Sequence, residues 1–349
     1  MRWFKGQGWQ VDYAAAGAEE IPDCDNRYTI DMSRNPLSLK SIHAIKQLKI
    51  ILDQGGYNIV HCHTPIASVV TRLAAKSVRK KGLKVIYTAH GFHFYKGAPL
   101  LSWLIYYPIE KYLAKSTDCI ITINDEDFNR AKNKFLNCRN IEKIDGVGVD
   151  LAKFTPFTDN EKVKTRKELG YSTADFIITN VAEINKNKNQ VLLVTTLPQL
   201  IKSIPSIKVL FAGTENYSKV RAIVKRLHLE SYVDFLGYRN DIDRLVGISD
   251  IAFSASLREG LPVNIIEAMA SGIPIVCSKN RGHNSLIDDK KSGLLFEANN
   301  TQEMIHCIVS LYENSDFAQK LAQESLRHSK RYSLNFAVTK MANIYVKFM

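Results

Sequence analysis

The 349-residue chain is expected to be an α/β protein of two domains, each a parallel sheet with helices on both faces. Three observations lead there. Short apolar runs that read as strands alternate with stretches whose apolar residues recur at helical spacing, in two successive series. The length suits two domains of roughly 150 residues each. The composition, 45% apolar and 23% charged, is that of a globular protein with a sizeable core and excludes collagen-like, coiled-coil and mostly disordered chains. No run approaches the ~20 uninterrupted apolar residues of a membrane span. The hexapeptide Met1–Gly6 lacks the apolar centre of a signal peptide, so the chain is expected in the cytoplasm.

The first series opens with Met1–Lys5, which reads as the end of a helix stopped by Gly6 and Gly8. A helix that packs on a parallel sheet follows a strand, so a first strand and loop are expected upstream of Met1. Trp9–Ala15 reads as a strand, and Ser38–Asp53 as a helix from Leu39, Ile42, Ile45, Leu48, Ile51 and Leu52. Asn58–His61, Lys84–Thr88 and Cys119–Ile123 are strands; Ala67–Arg79, Leu100–Lys115 and Glu126–Leu136 are helices. The second series follows Phe154-Thr155-Pro156-Phe157. Its strands are Phe176–Val181, Lys208–Ala212, Val233–Leu236, Asp250–Ser254 and Pro274–Cys277, with helices Asn189–Leu200, Ser218–Leu227 and Asp241–Gly247 between them. The domains are therefore expected at residues 1–155 and 156–333. The amphipathic stretch Leu334–Met349 should be a C-terminal helix packing back on the first domain.

Six cysteines are far apart with no C-x-x-C pair, which argues against a zinc site or a disulfide framework. Cys119 and Cys277 read as small core residues. The 47 basic against 35 acidic residues give a charge of +12, spread over both halves. Such a field favours nucleotides, lipid phosphates or an anionic membrane surface. Nucleic acid is not expected, because no zinc-finger or RNP-type motif accompanies the charge. The run Leu100–Pro108, flanked by Lys96, Lys111 and Lys115, reads as a helix packed on the first sheet, with a membrane-interface face as the alternative.

The stretch from Ser256 to Pro274 holds the clearest chemistry. A strand enters a loop, Pro262 suits the first turn of a helix, and Gly272 and Pro274 suit its end. The free amides near Val263 and Asn264 make an anion site at the carboxyl end of a strand, where open α/β sheets bind ligands. Glu259 in the loop and Glu267 more than a turn inside the helix would repel a phosphate, but suit sugar hydroxyls as acceptors. Read without a ligand, Glu259 is a helix-dipole partner and Glu267 a surface residue. His61 and His63 end one strand and His90 another. The two histidines of His61-Cys62-His63 are expected on opposite sides of their strand, one in the core and His63 facing the cleft, making no metal pair by themselves.

Glu259 through Glu267 resembles the E-x7-E signature of retaining glycosyltransferases of family 4, which have the GT-B fold of two Rossmann-like domains facing across a cleft. Thr88–Phe94, Asp145–Asp150, Leu236–Arg239 and Ser292–Phe296 are similar to blocks of the capsular and exopolysaccharide branch, so the resemblance spans nearly the whole chain. It implies that Glu267 binds the ribose of a nucleotide and that Glu259 contacts donor-sugar hydroxyls with a catalytic role. It further implies that the Val263 and Asn264 amides and Lys188 hold a diphosphate, that Gly213 lets the backbone approach the donor, and that His90 is the catalytic cleft histidine. His63 and His93 are acceptor-side candidates. The family usually carries an arginine five residues before the lysine; here it is Glu183, leaving Arg239 or Arg281 to supply that charge. The expected function is transfer of a sugar from a nucleotide-sugar, a UDP-sugar in the first place, to a lipid-linked saccharide with retention, without cofactor or metal, beside the cytoplasmic membrane face. The alternatives are an inactive nucleotide-binding or partner protein lacking its first strand, and a sugar-nucleotide epimerase of the same architecture.

Overall fold

The computed structural model describes residues 1–17, 21–33 and 38–349, which fall into two compact units. The first comprises Met1–Ile144 and Val338–Met349; the second comprises Asp145–Ala337.

In the first unit, α1 (Arg2–Gly6) is followed by β1 (Tyr13–Ala15) and β2 (Arg27–Thr29), which pair in parallel as a sheet of their own. The strand expected over Trp9–Ala15 is thus confined to its last three residues, and β2 was not anticipated. Then come α2 (Leu39–Gln54), β3 (Ile59–Cys62), α3 (Pro65–Ala74), β4 (Lys84–Ala89), α4 (Leu100–Leu113), β5 (Cys119–Thr122), α5 (Asp125–Lys134) and β6 (Asn140–Lys143). Strands β3-β4-β5-β6 form one parallel sheet in that order. Ser38 caps α2 by accepting the Ser41 amide, and Pro65 starts α3 where its missing donor costs nothing.

The second unit runs α6 (Asp159–Glu168), β7 (Phe176–Val181), α7 (Gln190–Ser203), β8 (Ile207–Ala212), α8 (Lys219–Arg226), β9 (Val233–Gly237), α9 (Ile242–Gly247), β10 (Ile251–Ser254), α10 (Val263–Ala270), β11 (Ile275–Ser278), α11 (Arg281–Leu286), β12 (Leu294–Phe296), α12 (Thr301–Glu313) and α13 (Ser315–Ser329). Its six parallel strands lie in the order β12-β11-β10-β7-β8-β9. The chain direction reverses across the sheet between β10 and β7, the switch point at which such sheets open a crevice. Residues 145–155 belong with this unit, because Val149 and Phe154 are buried in its core beside Met269 and Tyr332. The last helix, α14 (Leu334–Val346), begins in the second unit, where Leu334 donates its amide to the Val149 carbonyl, and ends in the first.

Both units fasten their strands with one device. Asp118, just before β5, accepts the Val85 amide at the start of β4 (2.7 Å) and pairs with Arg79 (2.8 Å). Asp250, just before β10, accepts the Ile177 amide at the start of β7 (2.7 Å) and pairs with Arg166 and Lys162 (2.7 Å each). Each aspartate thereby occupies an edge amide and neutralises its own charge. The first core also encloses Arg72, fully buried over the Tyr87 ring, with Nη1 2.8 Å from the equally buried Glu110. That contact is off line for a hydrogen bond and holds by charge, while Ser68 accepts from the other guanidinium nitrogens. Removing one partner leaves the other charge uncompensated, so Arg72→Ala is expected to cost about 3–5 kcal/mol, read as a lowered denaturant midpoint.

Candidate active site

In the second unit the loops that follow β7, β10 and β11 are zipped together by backbone. Leu257 donates its amide to the Asn187 carbonyl (2.8 Å), and the Asn187 side chain donates to the Arg258 carbonyl (3.0 Å). Asn185 accepts the Lys188 amide (2.9 Å), which turns the lysine back toward the loop after β10. Lys188 Nζ there meets Glu259 Oε1 at 2.6 Å, with the two side chains 23% and 12% exposed. Two residues separated by 71 positions in sequence are thus one charge pair at the carboxyl edge of the sheet.

The turn before α11 fixes where Glu259 sits. A Cβ on Gly282 would lie 2.6 Å from Glu259 Cβ and 3.0 Å from its backbone carbon and oxygen, so only glycine fits. Arg281 Nε donates to the Glu259 carbonyl (3.2 Å). Asn280 accepts the Gly282 and His283 amides (3.0 Å each) and donates to the Ser256 carbonyl (2.8 Å). His283 is fully buried; its Nδ1–H donates to the Ser278 carbonyl (2.6 Å), and Nε2 has no hydrogen-bond partner among the described residues. Burial pushes the imidazole down to about 4 against the pull of the Ser278 carbonyl and of Glu259. Sequence reasoning missed Gly282 and His283. The signal available was the tripeptide Arg281-Gly282-His283 directly after a strand, a turn in which glycine permits close approach.

The remaining candidates divide. Val263 and Asn264 open α10 behind Pro262, which provides no side-chain cap, and their amides carry no hydrogen bond among the described residues. Glu267 is half-buried without a hydrogen-bond partner among them, and burial raises its carboxyl above the usual carboxylate range, opposed by Lys153. Gly213 follows β8, and a Cβ there would fall 2.1 Å from the Ala182 carbonyl oxygen, so this glycine is required by its own backbone neighbours. Glu183, where an arginine is usual, accepts from the Asn185 and Asn216 side chains and braces the loops after β7 and β8. Of the two arginines expected to replace that charge, Arg281 stands beside Glu259. Arg239 is held by Asp241 (2.8 and 2.5 Å), with no bond to Lys188 or Glu259 among the described residues.

The first unit corrects the histidine expectation. Side chains two apart on a strand share a face, and the His61 and His63 rings lie 4.2 Å apart, tilted by 36°, instead of parting. His61 is nearly enclosed, bonding Thr88 Oγ1 through Nε2 (2.8 Å) and the Tyr345 hydroxyl of α14 through Nδ1. His63 and His90 are exposed at the ends of neighbouring strands, with His63 Nδ1 3.1 Å from His90 Nε2. His93 is not part of this row and stacks on Tyr106 at 4.5 Å.

Comparison with known proteins follows this geometry. Residues 161–328 match the family model described as Glycosyl transferases group 1, and residues 1–124 the one described as Glycosyl transferase 4-like. EpsD of Bacillus subtilis (strain 168), which bears the name of a glycosyltransferase, is 39% identical over 100% of this chain and 92% of its own length. The UDP-Gal:alpha-D-GlcNAc-diphosphoundecaprenol alpha-1,3-galactosyltransferase of Escherichia coli is 29% identical over 90% of this chain and 82% of its own. The structure of Anabaena HepE in complex with UDP and glucose matches with a TM-score of 0.77 over 97% of this chain and 100% of that one. At 17% identity that likeness is one of fold, two Rossmann-like domains of the GT-B class.

The buried neutral imidazole of His283 has a stability consequence. Between about pH 6.5 and 4 the unfolded chain takes up a proton there that the folded chain does not, so stability falls as pH falls through that window. The contribution is at most about 3 kcal/mol. The drop in urea midpoint from neutral pH to pH 4.5 should be smaller for His283→Gln than for the unaltered protein.

Proposed function

This chain belongs to the glycosyltransferases, with a glycosyl transferase 4-like N-terminal region and a group 1 C-terminal region, and on that premise we propose that it is a retaining family 4 enzyme that moves a sugar from a UDP-sugar to a lipid-linked saccharide in the assembly of a capsule or exopolysaccharide. The observation that carries the reading is the Lys188–Glu259 pair beside the unpartnered amides that open α10. An ammonium and two free N–H groups at a helix N-terminus suit a diphosphate, and suit it best when charge grows on it as the leaving group. The diphosphate competes with Glu259 for Lys188. The carboxylate so released accepts hydroxyls of the donor sugar, and Glu267, with no hydrogen-bond partner among the described residues, accepts those of the ribose. The choice of a UDP-sugar and a lipid diphosphate acceptor draws on what the E. coli relative's name says it uses. Positive charge comes from the protein itself, so no metal is required.

The membrane is assigned to α4. Trp103, Tyr106 and Tyr107 pack inward against Phe92, Phe94 and Phe135, while Leu100, Leu101 and Leu104 stand more than 60% exposed with Ile105 beside them. Lys111 and Lys115 flank this stripe, a combination that suits an anionic lipid surface. On this proposal the aromatic residues of Leu100–Pro108 serve the core and its exposed leucines the lipid. Among the described residues no helix is long and apolar enough to cross a membrane, so the expected association is peripheral, on the cytoplasmic face.

Two measurements test these assignments. A thermal-shift panel of UDP-, GDP- and ADP-sugars should show stabilisation by the UDP class. Glu259→Ala should abolish transfer with the fold intact, Lys188→Ala should lower turnover about 10²–10³-fold, and EDTA should leave the unaltered protein's rate unchanged. Near-normal turnover of Glu259→Ala would remove the site assignment. Separately, the double change Leu101→Glu/Leu104→Glu should abolish co-sedimentation with phosphatidylglycerol vesicles while the nucleotide shift persists.

A further inference from the structure

We propose that the groove between α4 and α5 of the first unit is a saccharide-binding site, made of none of the residues assigned to transfer and taking uncharged pyranose rings. It goes beyond the transferase reading and is independent of it, because it is read from the lining of one unit alone. A cavity of about 400 Å³ separates the two helices there, within the ~300–1,000 Å³ in which proteins hold small ligands. On one side stand Trp103 and Tyr107, four residues apart and so on one face of α4. On the other, Glu126, Asn129, Arg130, Asn133 and Lys134 follow the i, i+3, i+4, i+7, i+8 spacing. In a helix packed on its neighbours that stripe is apolar. In α5 every position of it is polar, and the helix turns Asp127 and Ala131 into the core instead. A polar stripe thus faces aromatic side chains across a space that a packed core would have closed.

Two of the lining residues build the wall, and the others are left for a ligand. Arg130 lies over the Trp103 ring (5.0 Å), donates to the Phe94 carbonyl (2.9 Å) and pairs with Glu126 Oε1 (2.8 Å), which also accepts the Lys96 amide (2.7 Å). The guanidinium and that carboxylate oxygen are spent on holding Trp103 and the loop before α4. The indole N–H of Trp103, the Tyr107 hydroxyl, Glu126 Oε2 and the Asn129 and Asn133 side-chain amides have no hydrogen-bond partner among the described residues. A pyranose ring matches this set. Its C–H face is apolar and slightly positive, which suits aromatic side chains. Its rim hydroxyls both donate and accept, as the two planar amides do. Other occupants match it less well. To an anion the lining offers one unpaired ammonium among the described residues, Lys134, and sets the Glu126 carboxylate against it. An apolar peptide would cover the indole N–H, the hydroxyl and the amides without pairing them.

The test uses the full chain labelled with fluorotryptophan and a panel of neutral tetrasaccharides of glucose, galactose and N-acetylglucosamine in α and β linkage. The chain has three tryptophans, Trp3, Trp9 and Trp103. The fluorine resonance of Trp103, assigned with Trp103→Phe, should move with at least one tetrasaccharide while the other two resonances stay. Calorimetry with that sugar should show Asn129→Ala/Asn133→Ala binding it about tenfold or more weakly, through lost hydrogen bonds on an exposed helix face where alanine does not harm the fold. Sodium phosphate at the same concentration should leave the Trp103 resonance in place. A Trp103 resonance unmoved by every sugar, a double variant that binds within about twofold of normal, or movement with phosphate in place of sugar would overturn the site. None of these outcomes touches the Lys188–Glu259 assignment, which stands or falls with the nucleotide shift and the Glu259→Ala rate.

Discussion

A parallel sheet has no face to spare for solvent: its strands are buried on both sides by the helices that connect them. Both units of this chain are built on such sheets, and the consequence for chemistry is strict. Strand interiors such as Val85–Tyr87 and Ile177–Ile178 are sealed, so polar groups that must meet a ligand are confined to loops leaving the carboxyl ends. The candidates Lys188, Glu259, the amides of Val263 and Asn264, His63 and His90 all lie at or just beyond such ends. The paired aspartates Asp118 and Asp250 serve the opposite edge, where they fasten the strand starts and satisfy amides that would otherwise be buried without partners.

Within the second unit, the position of Glu259 is an accounting of backbone polar groups. The Asn280–His283 turn leaves no room for a side chain at Gly282, spends the Asn280 amide on the Ser256 carbonyl, and uses an imidazole nitrogen to satisfy Ser278. Lys188 reaches the same place because Asn185 and Asn187 spend their side chains on the loop instead of on solvent. A carboxylate and an ammonium carried on loops held this way have their backbones placed by the fold itself, whether or not the two charges stay paired.

Much of this was legible in the sequence, for reasons that can be named. Alternating apolar runs located β3, β4, β5, β7, β8, β9, β10 and β11, since a fully buried strand cannot disguise its composition. The short edge strands β2, β6 and β12 were not seen: β2 and β6 are three or four residues of mixed polarity, and β12, though wholly apolar, is three residues long, too short to carry a period. Helix α6, with its run of charged residues, has no apolar face to read; Thr158 and Glu161 secure its start with a capping box. Glu259 and Lys188 were found by motif, but their pairing was not, because it depends on loops adjacent only across the switch point. The histidine row was misread through the strand period itself, and Arg239, plausible by position, spends its guanidinium on Asp241.

Helix α14 supplies the last tie. Gly148 leaves no space for a side chain against Leu334 and Ala337, which fixes the start of the helix in the second unit. Its far end returns Tyr345 to His61 and sets its ring against Phe4, tilted at 4.7 Å, and Trp9, edge-on at 5.8 Å, in the first. The core of the first unit is therefore closed by a contact 284 positions apart in sequence, and without Tyr345 a His61 ring nitrogen would be left with no mate there, at a cost of about 1–3 kcal/mol. So long a separation makes completion of this core a non-local and intrinsically slow step of folding, however local its strands and helices are.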